Sequence, residues 1–162
     1  MLKLTVIDTA AGIEPAERAP GQLRVAFATQ DLHTLDAHFA GARNFAIYDV
    51  SPDGHQFVSA VRFDGTSKED GIHDDHQDRL QPRLEALEGC ALLFVLAIGG
   101  PAAARVVSAR VHPIKLPAPE PISDIIARLQ TMLNGTPPPW LRRVIQPRHG
   151  GSLAFLDEEN DA

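Results

Sequence analysis

Of the 162 residues, seven are histidines and one is a cysteine, so no Cys-rich metal cage can be built within the chain and imidazole is the first ligand to consider. His38 stands in Asp31-Leu-His-Thr-Leu-Asp-Ala-His-Phe-Ala-Gly41, a polar stretch between two strand-like segments. A neutral imidazole ligates a metal through one nitrogen while a carboxylate or carbonyl orients the other. Asp36, two residues earlier, is the candidate orienting group, and Phe39 follows directly. The plainer alternative is a loop histidine bonded to backbone. A second candidate is Gly99-Gly-Pro-Ala-Ala103, a strand-to-helix turn. The free amides at such a turn attract anions, and the bare Gly99 and Gly100 let a bulky ligand approach the backbone. It is neither a G-x-G-x-x-G nor a Walker sequence, and close packing of helix on sheet would equally call for small residues. His73-Asp-Asp-His76 has the residue types of a metal clip, but a catalytic zinc takes three protein ligands and no third is identifiable. A solvated acidic loop leading into a helix N-cap explains it as well. Cys90, at the head of an apolar run, can offer a thiolate or act as a small buried hydrophobe.

Several function classes fall away. There is no G-x-S-x-G elbow, no Cys/His pair at an informative spacing, and no inward acidic set of the kind that two-metal nucleases need. A hydrolase built on His73 and His76 is the enzymatic alternative. Fifteen Lys and Arg against 21 Asp and Glu give a formal net charge of −6, the wrong sign for a nucleic-acid groove. The longest apolar run, Cys90 to Ile98, falls far short of the roughly 20 residues of a membrane span. Asp8 interrupts the start before any signal-peptide core, and a lone cysteine excludes an intrachain disulfide, so a reducing cytoplasm is expected.

The elements that must position these residues follow from periodicity. Residues 1–21 show no sustained period and are expected to be a flexible lead-in. Leu23, Val25 and Phe27 alternate as a strand; Asn44 to Val50 is a second, and the turn Ser51-Pro-Asp-Gly54 returns the chain as a third, His55 to Phe63. Leu80, Leu84 and Leu87 form a helical stripe ending at Gly89, with Pro82 implying a kink or a start as late as Gln81. Cys90 to Ile98, apolar without alternation, fits a central parallel strand covered on both faces. Pro101 opens a helix reaching about Ala109, and Val111 to Leu116 is a short strand that Pro113 puts at an edge. Ile122, Ile125, Ile126, Leu129, Met132 and Leu133 mark an amphipathic helix ending at Gly135. Pro137-Pro-Pro-Trp140-Leu141 is a stiff segment able to pin an aromatic on the domain, and residues 144–162 are expected to be a disordered acidic tail. The order β, β, β, α, β, α, β, α predicts an α/β domain over 22–143 with a mixed five-stranded sheet.

Taken in order, Arg24-Val-Ala-Phe-Ala-Thr29, Leu35-Asp-Ala-His-Phe39, Phe45-Ala-Ile-Tyr-Asp-Val50, Leu87-Glu-Gly-Cys90, Ala97-Ile-Gly-Gly-Pro-Ala102, Val111-His-Pro-Ile-Lys115 and Pro137-Pro-Pro-Trp-Leu141 resemble the dinitrogenase iron-molybdenum cofactor-biosynthesis family, of the NifX and NafY type. The resemblance spans about residues 22 to 143. It implies a ribonuclease-H-like three-layer α/β/α sandwich without nuclease or other enzymatic activity. Such proteins bind the iron-molybdenum cofactor or its iron-sulfur precursors as transient cargo and pass them between nitrogenase assembly proteins or to apo-dinitrogenase. NafY-like proteins add an N-terminal helical domain for which this chain has no room, so the NifX type is nearer. The family's cluster-ligating histidine, in an Asp-x-His-Phe-Gly motif, falls on His38, with Asp36 and Phe39 in place and Ala40 standing where the family has Gly. Gly99 and Gly100 are then expected to face the same cargo. The competing expectation is a cluster-independent chaperone of apo-dinitrogenase or of the assembly scaffold, docking through Pro137 to Trp140 and the acidic tail.

Overall fold

The alternation that begins at Leu23 does become a strand, and every one of its residues is buried. In the computed structural model, which describes residues 4–9, 22–63 and 76–145, this strand is the axis of the domain. The chain runs β1 (Leu4–Thr9), β2 (Leu23–Thr29), β3 (Thr34–Leu35), β4 (Asn44–Ser51), β5 (Gly54–Phe63) and α1 (His76–Ala86). It continues through β6 (Leu92–Val95), α2 (Gly100–Ser108), β7 (His112–Lys115), β8 (Glu120–Pro121), α3 (Ile122–Asn134) and α4 (Pro139–Ile145). The main sheet has the order β1-β5-β4-β2-β6-β7. β2 runs parallel to β6 and β6 to β7, while the β2–β4, β4–β5 and β1–β5 pairs are antiparallel.

This is the expected mixed α/β sheet, with six strands rather than five. The extra one, β1, lies in the stretch expected to be a lead-in. It escapes a reading by period because its register on β5 slips between Val6 and Asp8, and such a bulge breaks the alternation. The nine-residue apolar run is also shorter as a strand than expected. Only Leu92–Val95 pair in the sheet, after which Leu96 and Ala97 bond to the chain around His38 instead. α1 begins at His76 and continues through a buried Pro82, so Pro82 neither delays its start nor ends it.

Two faces need cover. Phe45 and Phe63 meet edge-on at 4.8 Å on one, where Arg83 of α1 lies over the Phe63 ring at 4.4 Å, and α1 in turn touches α2. Register puts Phe27 on the other face, stacked on Phe94 at 5.3 Å and edge-on to Tyr48 at 5.8 Å. With both faces of β2 buried and α1 and α2 together on the first, α3, which packs against β4 and buries Ile122, Ile125, Ile126 and Leu129, is left to cover the second.

The proline-rich segment ends as a helix rather than an extended arm. α4 starts at Pro139, buries Leu141, and lays Trp140 flat on His112 of the edge strand, with ring centroids 4.9 Å apart and planes 7° from parallel. Burial, and then the nearby charge of Arg143, hold the His112 imidazole below its ordinary range. The folded protein therefore binds fewer protons than the unfolded chain below about pH 6.5. Burying this ring in its neutral form thus contributes stability that is present above that value and is lost as pH falls from there through the lowered folded value. Trp140 is the sole tryptophan and reports directly. Acidification from neutral is expected to change its emission with a midpoint under about 6.5, and H112Q is expected to flatten that transition. Identical titrations in the two proteins would locate the effect elsewhere.

Candidate functional site

β2 and β6 are parallel neighbours, but the chain leaves them in opposite directions, from β2 towards β4 and from β6 through α2 to β7. Such a reversal opens a crevice at the carboxyl ends of the two strands, the usual place for a ligand in an open α/β sheet. His38 lies in the loop after β2, and Gly99 and Gly100 lie in the turn after β6, so both candidates fall at this end.

The backbone ties them together. Leu96 N donates to Ala37 O at 3.0 Å, and Phe39 N donates to Ala97 O at 2.9 Å. The residues on either side of His38 are thus held to the chain that leads, two residues later, into Gly99. Extended backbone turns alternate side chains opposite ways. Ala37 and Phe39 are buried, at 2% and 1% exposure, whereas His38 is exposed. Gly99 and Gly100 are exposed as well, and a Cβ on either would meet nothing within 4 Å. Gly99 adopts an extended φ of −71° open to any residue. Neither crowding nor backbone conformation requires glycine at these places, which removes close packing as their explanation and leaves the amide edge uncovered. The expected Pro101 sits one residue into α2 rather than at its first position.

Two of the expected residues do other work. Asp36 Oδ1 accepts from Gln30 N at 2.8 Å, and no hydrogen bond joins it to His38 among the described residues. The start of the loop needs an acceptor, and Asp36 supplies it. Phe39 points into the core, its ring 5.8 Å from that of Phe45, and so anchors the loop from below rather than lining an open surface.

What holds the loop was not singled out from sequence. Asp31 accepts from His33 N (2.9 Å) and Thr34 N (2.8 Å), and these amides keep its carboxyl below the usual range. They steady Leu32, whose φ of 70° is a left-handed conformation costing an L-residue about 1–2 kcal/mol. Gln30 spans the loop mouth, its side chain accepting from Arg43 N at 2.7 Å and donating to Gly41 O at 3.3 Å. β3 pairs with β8, and Ile122 N donates to His33 O, which fastens the loop to the start of α3. From the other side Arg83, fully buried, donates to Phe39 O at 2.9 Å and to Ala42 O at 2.7 Å. Its signal was present in the helical stripe: Arg83 occupies the i+3 position between Leu80 and Leu84, where an apolar residue is the norm.

Cys90 is buried two residues before β6, beside Arg24, whereas His38 adjoins the far end of that strand, on the order of 20 Å of extended chain away. The two are not brought together. Of the His73–His76 clip, residues 73–75 lie outside the described residues, and His76 opens α1. Among the described residues no group of three or more His, Cys, Asp or Glu side chains converges to hold a metal ion. No helix among them is long and apolar enough to cross a membrane.

The fold is a mixed α/β sheet whose β2 and β6 loops are tied together, with His38 exposed on one and Gly99 and Gly100 exposed on the other. The family whose description is dinitrogenase iron-molybdenum cofactor matches residues 21–132, and the chain belongs to it. It is 56% identical to Protein NifX of Sinorhizobium fredii, over 88% of this chain and 90% of that protein. It is 54% identical to Protein NifX of Rhodobacter capsulatus, over 82% and 85% respectively. Protein NifY of Azotobacter vinelandii shares 39% identity over 76% of this chain, which covers 48% of that longer protein. With membership comes a role in the biosynthesis of the nitrogenase iron-molybdenum cofactor.

Proposed function

We propose that this chain is a non-enzymatic carrier that takes up the iron-molybdenum cofactor or an iron-sulfur precursor and releases it to nitrogenase assembly proteins and apo-dinitrogenase. His38 supplies the metal-binding nitrogen, and the Gly99–Gly100 turn lets a bulky anionic cluster approach the backbone. One observation carries this: an exposed imidazole stands on backbone held on both sides by the strand end that leads into that turn. A single imidazole suits cargo that has to leave again, whereas a closed set of thiolate ligands would keep it. In this assignment Asp36 and Phe39 serve the site through the loop, by closing its start and seating it on the core.

Anaerobic mixing with isolated iron-molybdenum cofactor, followed by gel filtration, tests the assignment. The wild-type protein is expected to elute brown with iron and molybdenum. His38→Ala is expected to weaken retention about a hundredfold, at least the upper range seen when groups that merely support a metal ligand are removed. His33→Ala, an exposed histidine of the same loop, serves as the control and is expected to retain cofactor fully. Equal retention by His38→Ala and the wild type would reject His38 as ligand. Capture of apo-dinitrogenase by the cofactor-free protein, with no metal uptake, would favour a chaperone instead.

A further inference from the structure

We infer that Arg83 is a positioning residue for His38: it sets the direction in which the imidazole is offered, and with it how tightly cargo is held. The inference rests on the assignment of His38 as the ligand.

Arg83 is 2% exposed, an unusual place for a guanidinium, and its hydrogen bonds explain the choice. Nε donates to Phe39 O and one terminal nitrogen donates to Ala42 O. These carbonyls bracket the turn Phe39-Ala40-Gly41-Ala42, which begins immediately after His38 and is closed by Gly41 N donating to His38 O at 3.2 Å. One rigid planar fork therefore fixes both ends of the turn at once, and its position is itself set by the Phe63 ring 4.4 Å from its central carbon. On the other side of His38, the chain is held by Leu96 and Ala97. Without the fork that strand-side attachment would remain, and Gln30 would still hold Gly41 O and Arg43 N. Phe39 O and Ala42 O would lose their common donor, however, so the turn would shift on the C-terminal side, and with it the direction of the imidazole. A lysine keeps the charge, but its three N–H donors radiate from one rotatable nitrogen on a flexible stem rather than from a planar fork, so it does not fix the two carbonyls in one plane.

The test is a double-mutant cycle between Arg83→Lys and His38→Ala. It is read by retention of isolated iron-molybdenum cofactor and by the electron paramagnetic resonance spectrum of the bound form, after far-ultraviolet circular dichroism has shown each variant folded. Arg83→Lys alone is expected to weaken retention about tenfold, as for other groups that orient a metal ligand, and to move the spectrum towards that of His38→Ala. In the His38→Ala background the same change is expected to do nothing further, because there is no imidazole left to aim. Equal losses in both backgrounds, or a folded Arg83→Lys with wild-type retention and spectrum, would overturn the inference. If Arg83→Lys does not fold, Arg83→Gln, which keeps one donor for one carbonyl, is read in the same cycle. Failure of the underlying assignment looks different: His38→Ala alone would then retain cofactor like the wild type, whatever happens at position 83.

Discussion

Asp49→Ala is expected to lower the unfolding free energy by about 3–5 kcal/mol, the range for removing one partner of a buried ion pair. Arg24 and Asp49 face each other across the β2–β4 register, joined by two hydrogen bonds of 2.8 Å with side-chain exposures of 4% and 3%. The carboxylate hydrogen bond is the main reason the guanidinium is held even more firmly protonated than usual, and without Asp49 it still keeps its charge, because an arginine does not deprotonate in a protein. The cost is then that of a charge held in a dry interior without its carboxylate. In a chain of this length that amounts to a fall in the thermal midpoint of roughly 10 °C. The pair as a whole is a different matter, since its attraction only offsets the desolvation of both ions. Replacing both together, Arg24→Met with Asp49→Leu, is expected to recover most of the loss, to within about 1–2 kcal/mol of the wild type. Urea unfolding monitored at Trp140 measures all three proteins. If the double variant is no better than Asp49→Ala, the pair contributes to stability beyond offsetting its own burial.

The elements that positioned the site could be read where one face of the chain is apolar and regular. β2 alternates in sequence, the turn at Ser51 to Gly54 carries the residues its geometry needs and joins β4 to β5 as a hairpin, and α3 shows its stripe from Ile122 to Leu129. The edge position of β7 followed from Pro113 alone. What could not be read shares a physical cause, namely that long-range pairing rather than local pattern decides it. β3 and β8 are two residues each, too short to have a period, and exist because they pair with one another. The apolar run after Cys90 is uniform, so nothing local marks Val95 as its last paired residue; the loop that takes over the hydrogen bonds of Leu96 and Ala97 does. At the site, His38 stood out by residue type, and its exposure follows from the alternation with Ala37 and Phe39. Its support did not stand out, because Arg83 lies more than forty residues away and looks like any helical arginine until its carbonyl partners are known.

Phe39→Ala is expected to cost about as much stability as Asp49→Ala, roughly 3–5 kcal/mol, for a reason that reaches the site directly. The ring is 1% exposed and tilted against Phe45, which in turn meets Phe63 edge-on at 4.8 Å, so truncation opens a cavity in the layer between sheet and α1. A Phe side chain loses its transfer free energy and its neighbours lose their contacts, since packed sheet residues close such a void only in part. The backbone bonds of residue 39 survive the change: its amide still reaches Ala97 O and its carbonyl still accepts from Arg83. The loop should therefore stay attached while losing the wedge that turns residue 39 inward and His38 outward. Phe39→Leu, which refills most of the space, is expected to cost under about 2 kcal/mol and to keep that alternation. Denaturant titration gives the stability of each variant, and cofactor retention at temperatures where all are folded gives the effect on the site. The expected order in both is wild type, then Leu, then Ala. A loss below about 1 kcal/mol for Phe39→Ala would mean that the loop collapses into the cavity, and in that case the ring is not what keeps the imidazole facing outward.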